Sequence, residues 1–398
     1  MEENTVLGDY ISTQKGFAFK SKWFVDSGRK IVKVSDFTED SVCPTNLMNI
    51  STELGEQYSR YSLAVGDVVI QTVGSWPSNP ASVVGKTVRV PKSVDGSLLN
   101  QNAVKIVPKE DICIGFLYYL LRSEDFKEYI IGTAQGAASQ ASITLEAIKR
   151  FKCRLPALEV QESIASKLEN YDNLIENNNR RIAILEDMAQ SLYREWFVSF
   201  RYPNYQDNLD ADGKPKLIDS PLGQIPEGWE VKRLDDYVTL QRGFDLPKAK
   251  RNNEGDVPIY AASGLTGYHD EIKAKGPGVV TGRSGTLGIV KLVLEDHWPL
   301  NTSLWVKKFE NCTAHYAYYL LDSIGLERFN SGASVPTLNR NDVHGNPVIA
   351  PPIELINKFE EIVAVKHKQI NILKRKNTNL KHQRDMLLPK LISGQIEL

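Results

Sequence analysis

Long apolar runs are missing from this chain of 398 residues. No stretch approaches the ~18 consecutive apolar residues that a membrane-spanning helix needs. The opening MEENTVLGDY is acidic and polar, which excludes a signal peptide there. Cysteine is scarce. Cys43, Cys113, Cys153 and Cys312 are scattered, with no CxxC pair and no histidine at metal-ligand spacing. Neither a disulfide framework nor a metal site is expected, and the thiols read as reduced and structural in a cytoplasmic protein. Excess charge of either sign is also missing, because 48 Lys and Arg against 49 Asp and Glu leave a net charge of −1. A nucleic-acid reader usually shows a basic footprint. Here it would have to be local, with cations on one face and acids on another.

Catalytic signatures are missing too. Val84-Gly85-Lys86-Thr87 resembles the end of a phosphate-binding loop, but Pro80 stands where the first glycine is required. Gly282, Gly285 and Gly288 suit a tight hairpin better than a strand–GxGxxG–helix dinucleotide site. No GxSxG, HExxH or DFG pattern occurs. Asn346-Pro347 opens like an amino-methyltransferase tetrapeptide, but Val348 and Ile349 follow it. All six histidines, the first of them His269, lie in the second part of the chain, so no histidine device can be shared by two repeats. No catalytic residue and no metal ligand is assigned.

What is present is a duplication. Leu7-Gly8-Asp9-Tyr10 to Lys15-Gly16-Phe17 is echoed by Leu234-Asp235-Asp236-Tyr237 to Arg242-Gly243-Phe244, at an offset of 227. Tyr118-Tyr119-Leu120-Leu121 returns as Tyr318-Tyr319-Leu320-Leu321, at offset 200. Leu155-Pro156-Ala157-Leu158-Glu159 returns as Ala350-Pro351-Pro352-Ile353-Glu354, at offset 195. The falling offset makes the first head longer than the second by about thirty residues. A long helical pattern follows each head. Ile164, Leu168, Tyr171, Ile175, Asn178, Ile182, Leu185, Ala189, Leu192 and Trp196 recur in steps of four and three. So do Phe359, Val363, Lys366, Ile370, Leu373, Asn377, Leu380, Arg384, Leu387 and Leu391, with Pro389 expected to disturb the last turn. This is the 3.5-residue repeat of a coiled coil. At 1.5 Å per residue the first helix is roughly 58 Å long.

Within the first head, Lys30–Val34, Asp67–Thr72 and Ala103–Val107 read as strands and Cys113–Tyr129 as one amphipathic helix. Gly132–Ser142 reads as a loop, followed by a short helix near Leu145–Arg150. The expected architecture is α/β (α+β), with two tandem heads, each followed by a long helix, and the helices paired antiparallel about a pseudo-twofold axis. Boundaries fall at 1–155 for the first head, 156–199 for its helix, 200–228 for a linker, 229–350 for the second head and 351–398 for the second helix and tail. An antiparallel register with its dyad near residues 180 and 375 pairs Leu168 with Leu387, Ile175 with Leu380, Ile182 with Leu373 and Leu185 with Ile370. It also sets Asn178 against Asn377, where two core asparagines can satisfy each other and fix the register.

Two heads on a shared spacer suit a reader of two-part sites. The candidate contacts are polar and basic residues in strand–turn settings. In the first head they are Lys15, Gln71, Thr72, Lys86, Asn100, Gln101, Asn102 and Gln140. In the second they are Arg242, Arg283, Ser284, Thr286, Asn301, Thr302, Asn339 and Arg340. Arginine reads guanine, and Asn or Gln reads adenine, through paired bonds in the major groove. Ser, Thr and backbone N–H groups suit phosphates. The Tyr118 and Tyr318 clusters read as core.

The ordered set resembles the specificity subunit of type I restriction–modification systems over essentially the whole chain. The set comprises the tandem heads, the proline-initiated helix after each, Pro221–Leu234 (PLGQIPEGWEVKRL), Val279–Val290 (VVTGRSGTLGIV) and Leu387–Leu398 (LLPKLISGQIEL). The resemblance implies two target-recognition domains that read the halves of a split double-stranded DNA site, and helices that set the gap between them. It implies a non-catalytic subunit without a cofactor of its own. Two methyltransferase subunits would bind S-adenosylmethionine and methylate adenine, and two translocase–nuclease subunits would bind ATP and magnesium. The near-neutral charge implies weak DNA binding by this chain alone. The competing expectation is a duplicated coiled-coil adaptor that joins proteins rather than DNA.

Overall fold

The computed structural model describes residues 5–78, 82–137, 140–209, 213, 216–252 and 254–396. Parts of four features read from the sequence lie outside these residues: Pro80 of the failed phosphate-loop pattern, 138 and 139 of the Gly132–Ser142 loop, 210–212 and 214–215 of the linker, and 397 and 398 of the Leu387–Leu398 tail. The chain forms two compact units, residues 1–177 with 377–398, and residues 178–376. Each unit is one head with half of each long helix.

The heads share one plan. Unit 1 centres on an antiparallel sheet in the order Ile11–Lys15, Ala103–Pro108, Val68–Gln71, Thr87–Arg89. Unit 2 repeats that order with Val238–Arg242, Ser303–Phe309, Gly278–Gly282, Val290–Val293. The inner strands Val68–Gln71 and Gly278–Gly282 are buried at every position, so continuous apolar runs form strands here where alternation would be expected at an exposed sheet. Helices Ile114–Leu120 and Ala314–Ile324 carry the twin Tyr-Tyr-Leu-Leu motifs. Tyr118, Tyr119 and Tyr319 are buried, and Tyr318 packs half-buried against the core, as the core reading expects. A short ladder closes each head, Thr5–Val6 with Lys152–Cys153 and Glu230–Arg233 with Pro347–Ala350. Each head therefore ends beside its own beginning, and the proline-started helix leaves from that edge.

The chain departs from the sequence expectations at four places. Cys113–Tyr129 is two helices, Ile114–Leu120 and Glu124–Gly132, because the Ser123 hydroxyl caps the second by accepting from the Phe126 N–H. The small-residue loop contains a strand pair, Gln135–Ala137 with Gln140–Ser142. The linker folds into a hairpin at Leu217–Ser220 and Gly223–Pro226. Pro389, expected to disturb the last turn, lies inside a helix that continues through it, Ile353–Ile392. The first long helix runs Leu158–Tyr193 and continues as a π-helical turn at Arg194–Val198.

Inside each unit the long helices run antiparallel. In unit 2, Ile182, Ile370 and Leu373 form one buried cluster with Leu185 against it. In unit 1, Leu168 shares a core with Leu388, Leu391 and Ile392, and Leu387 packs on its margin. The unit 2 cluster brings together the residues that the stripes pair there, Ile182 with Leu373 and Leu185 with Ile370. Asn178 and Asn377 fall in different units, Asn377 buried and Asn178 half-buried.

Each head is keyed to its helices by a tyrosine. In unit 1 the Tyr119 hydroxyl donates to Asp172 Oδ2 at 2.6 Å, and Arg384 reaches the other oxygen of the same carboxylate. Arg384 also meets Asp385 at 2.9 Å and Asp40 at 3.8 Å, while Arg89 pairs with Glu169 at 3.0 Å. In unit 2 the Tyr319 hydroxyl lies 2.9 Å from His367 Nε2, and His315 Nδ1 lies 2.7 Å from Glu360 Oε1. Burial first, then the nearby His315 and Lys374, press the His367 pKa down from 6.5 to about 4. An unfolded chain takes up this proton near pH 6.5, whereas the folded chain resists it until about 4. Unit 2 is therefore expected to hold its full stability above pH 6.5 and to lose it as pH falls towards 4. Four of the six tryptophans lie in unit 2 (Trp196, Trp229, Trp298, Trp305) and report its unfolding. His367→Phe should flatten the pH dependence of that melt. An equal acid sensitivity in wild type and variant would refute the assignment.

Candidate nucleic-acid interface

At one end of each central sheet the chain makes the same set of backbone bonds, and these define equivalent positions. Gly16 N–H donates to Ala103 O, and Gly243 N–H to Ser303 O, both at 3.1 Å. Phe17 N–H reaches Leu99 O at 2.9 Å, and Phe244 N–H reaches Pro299 O at 2.8 Å. The turns behind them close as Ala103 N–H to Asn100 O and Ser303 N–H to Leu300 O. Thr72 N–H donates to Asn102 O at 2.8 Å, and Arg283 N–H to Thr302 O at 2.9 Å. Ile143 N–H then reaches Thr72 O, and Leu338 N–H reaches Arg283 O. It follows that Lys15 matches Arg242, Thr72 matches Arg283, Gln101 matches Asn301 and Asn102 matches Thr302. One backbone tip is built twice and dressed with different side chains.

Glycine is what lets the tip close. A Cβ on Gly16 would stand 2.0 Å from Asn100 O, and one on Gly243 would stand 2.2 Å from Leu300 O. Only a residue without a side chain permits this approach of backbone to backbone.

In unit 2 the candidates converge. Arg242 is exposed and pairs with Asp245 at 3.2 Å, and the Asn301 amide donates to the same carboxylate. Arg283 is half-buried, with Nη1 donating to Asn301 O at 3.3 Å. Ser284 bridges to Thr337, and Thr302 Oγ1 accepts from Ala262 N–H at 3.4 Å. Thr286 is exposed on the same Gly-flanked turn. Asn339 uses its side chain to cap the helix Arg340–His344, accepting from Asn341 N–H, and Arg340 is exposed at that helix start. Asp245 escaped the sequence reading. Its signal was an acid placed directly after the Arg-Gly-Phe turn, and a carboxylate at a base edge accepts from cytosine N4.

In unit 1 the candidates divide. Lys15 and Gln140 are exposed, and Gln101 and Asn102 are half-buried at the tip, with Gln101 Oε1 lacking a protein partner. Gln71 and Thr72 are buried, as is Asn100. The Gln71 amide is spent on Val73 O at 3.0 Å and Ser82 Oγ at 2.7 Å, so this residue braces the loop beneath the tip and does not face outward. Lys86 is not brought to the tip. It lines a cleft of about 420 Å³ with Glu39, Tyr119, Arg122 and Arg384, where burial lowers its pKa and Nζ donates weakly to Phe37 O at 3.4 Å. No group of three or more metal-ligating side chains occurs among the described residues. No helix among them is long and apolar enough to cross a membrane.

The profile of a family described as "type I restriction modification DNA specificity domain" matches residues 3–187 and 226–382. The specificity subunit of type I restriction enzyme MjaIX from Methanocaldococcus jannaschii is 26% identical, covering 75% of this chain and 73% of that protein. The HindI specificity subunit from Haemophilus influenzae is 19% identical, covering 92% and 94%. Among solved structures, the S subunit of a type I restriction–modification system from M. genitalium superposes with a TM-score of 0.61 at 16% identity. It covers 98% of this chain and 96% of its own, a likeness of fold.

Proposed function

The chain belongs to the type I restriction–modification DNA specificity family, and we propose that its two tips each read one half of a split DNA site. The observation that carries this reading is the doubled tip. The backbone bonds are kept and the side chains exchanged, with Lys15, Thr72, Gln101 and Asn102 standing where the other head has Arg242, Arg283, Asn301 and Thr302. Conserved geometry holds each head to the duplex in one pose, and the exchanged side chains choose the bases. Arg283, aimed by its bond to Asn301 O, suits guanine. Asn301 and Gln101 suit adenine.

In this reading the chain itself performs no chemistry and needs no cofactor. Two methyltransferase subunits dock on the outer faces of the long helices and supply S-adenosylmethionine. Two translocase–nuclease subunits add ATP and magnesium where cleavage occurs. The complex works in the cytoplasm. Base modification requires a duplex held and distorted so that the target adenine can leave the stack, and two tips gripping both sides of the gap serve that purpose.

The test is a methylome. Co-expressed with the methyltransferase subunit from its locus in a methylation-free host, this chain should direct adenine methylation to two short blocks around a fixed gap. Exchanging the first head should change one block and leave the other. Scattered methylation without a motif, from a folded and associated complex, would instead support a protein-joining adaptor.

A further inference from the structure

Beside each tip the chain builds the same small device. In unit 1 it leaves Gly16 through Phe17 and Phe19, then makes a single 3-10 turn at Ser21–Trp23. In unit 2 it leaves Gly243 through Phe244 and Leu246, then makes the corresponding turn at Lys248–Lys250. The turns close alike, Trp23 N–H to Lys20 O and Lys250 N–H to Pro247 O, both at 2.9 Å. Two apolar side chains root each one. Phe19 and Leu246 are buried, and Phe17 and Phe244 pack against the same local clusters. A turn rooted at two points, one and three residues beyond the crossing glycine, holds a fixed place relative to the tip.

What these turns present is positive charge. Lys20, Lys22, Lys248 and Lys250 are all exposed. None has an ion-pair partner among the described residues, although many other lysines of this chain do, including Lys105, Lys127, Lys275, Lys308, Lys374 and Lys381. Lys20 stands 5.5 Å over the Trp23 ring, which itself lies parallel to Phe17 at 6.4 Å. Unpaired exposed lysines are usually just solvated. Both heads place two lysines on the same rooted turn, at its first and third positions in unit 1 and at its second and fourth in unit 2 (Lys-Ser-Lys-Trp against Pro-Lys-Ala-Lys). In a chain of net charge −1, that recurrence is the local basic footprint a DNA reader requires.

We propose that the two turns are phosphate clamps. The ammonium groups of Lys20 and Lys22, and of Lys248 and Lys250, would grip the DNA backbone beside the bases that each tip reads. This rests on the DNA-reading function proposed above and assigns a different role within it. An ammonium is a point charge that binds phosphate without regard to sequence. Such contacts set the pose and contribute affinity through counterion release, leaving discrimination to the tip.

The experiment uses the complex with its methyltransferase subunit, a duplex carrying the mapped site and a scrambled duplex, each titrated over a salt series. The variants are Lys20→Ala with Lys22→Ala, Lys248→Ala with Lys250→Ala, and the matching lysine-to-arginine pairs. Each alanine pair should reduce the slope of log affinity against log salt by about 2 and weaken both duplexes by the same factor. The arginine pairs should restore the slope. An unchanged slope, or a loss confined to the mapped site, would overturn the clamp while leaving the DNA-reading function intact. Wild-type complex that does not distinguish the two duplexes would overturn the DNA-reading function itself.

Discussion

Asp172→Ala is expected to cost unit 1 about 3 kcal/mol and to lower its thermal midpoint by roughly 6–12 °C. Arg384 is 1% exposed, and Asp172 is the carboxylate its Nη1 faces directly. Removing Asp172 strands a buried guanidinium between Asp385, itself largely in water, and Asp40 at 3.8 Å. It also strands the Tyr119 hydroxyl, which donates to the same carboxylate. The 23% exposure of the Asp172 side chain puts the expected loss at the lower end of the range for a broken buried pair. The double replacement Asp172→Leu with Arg384→Met should recover part of that loss, because it removes both desolvated charges and fills their space while the Tyr119 hydroxyl stays without its acceptor. Calorimetry of the intact chain separates the cases. A midpoint within 2 °C of wild type for Asp172→Ala, or a double variant worse than the single, would contradict this account of the anchor.

Gly16→Ala and Gly243→Ala should each cost more than about 3 kcal/mol locally, beyond ordinary overpacking. Neither glycine needs an unusual φ, so the cost is purely one of space. A new Cβ 2.0 or 2.2 Å from a carbonyl oxygen forces two backbones apart. That displacement carries Lys15 and Phe17, or Arg242 and Phe244, out of place. Methylation at the mapped site should fall about a hundredfold, the factor that roughly 3 kcal/mol implies. Gly132→Ala, with nothing within 4 Å of its new methyl group, is the control and should be silent. Near-normal methylation by Gly243→Ala would mean that the tip is softer than its hydrogen bonds imply.

Features repeated in the sequence were the most legible. The Lys/Arg-Gly-Phe turns, the twin tyrosine helices and the proline-started helices all occur twice, and the structure places each pair at equivalent positions. Both long helices were readable from their stripes because the 3.5-residue spacing persists over many turns. The break at Ser123 was not, because a serine between apolar segments can cap a helix or sit within one, and packing decides. The hairpin at Leu217–Ser220 and Gly223–Pro226 hid among turn-forming residues that read equally well as linker. Arg384 stood in the apolar stripe as an anomaly. Its partner Asp172 lies 212 residues away, and such a pairing exists only after the fold has formed. At the tip, residue type alone could not separate Gln71, turned inward as a brace, from Gln101 beside the surface. The lysine turns were overlooked because each is unremarkable alone, and only the equivalent placement of the two turns, with lysines at alternate positions, gives them meaning.

The two tyrosine anchors also bear on how such a protein can change its target. Head 1 is locked to its helices by acids and a guanidinium, head 2 by imidazoles and a glutamate, so the equivalent tyrosines meet different partners. A recombination joint at the foot of a head would set one lock against the other's key. A joint halfway along each long helix, near residues 177 and 376 where the two units divide, moves a head together with the helical segments that recognise it. New specificities should therefore arise, in nature or by design, from crossovers inside the helices rather than at the edges of the globular heads.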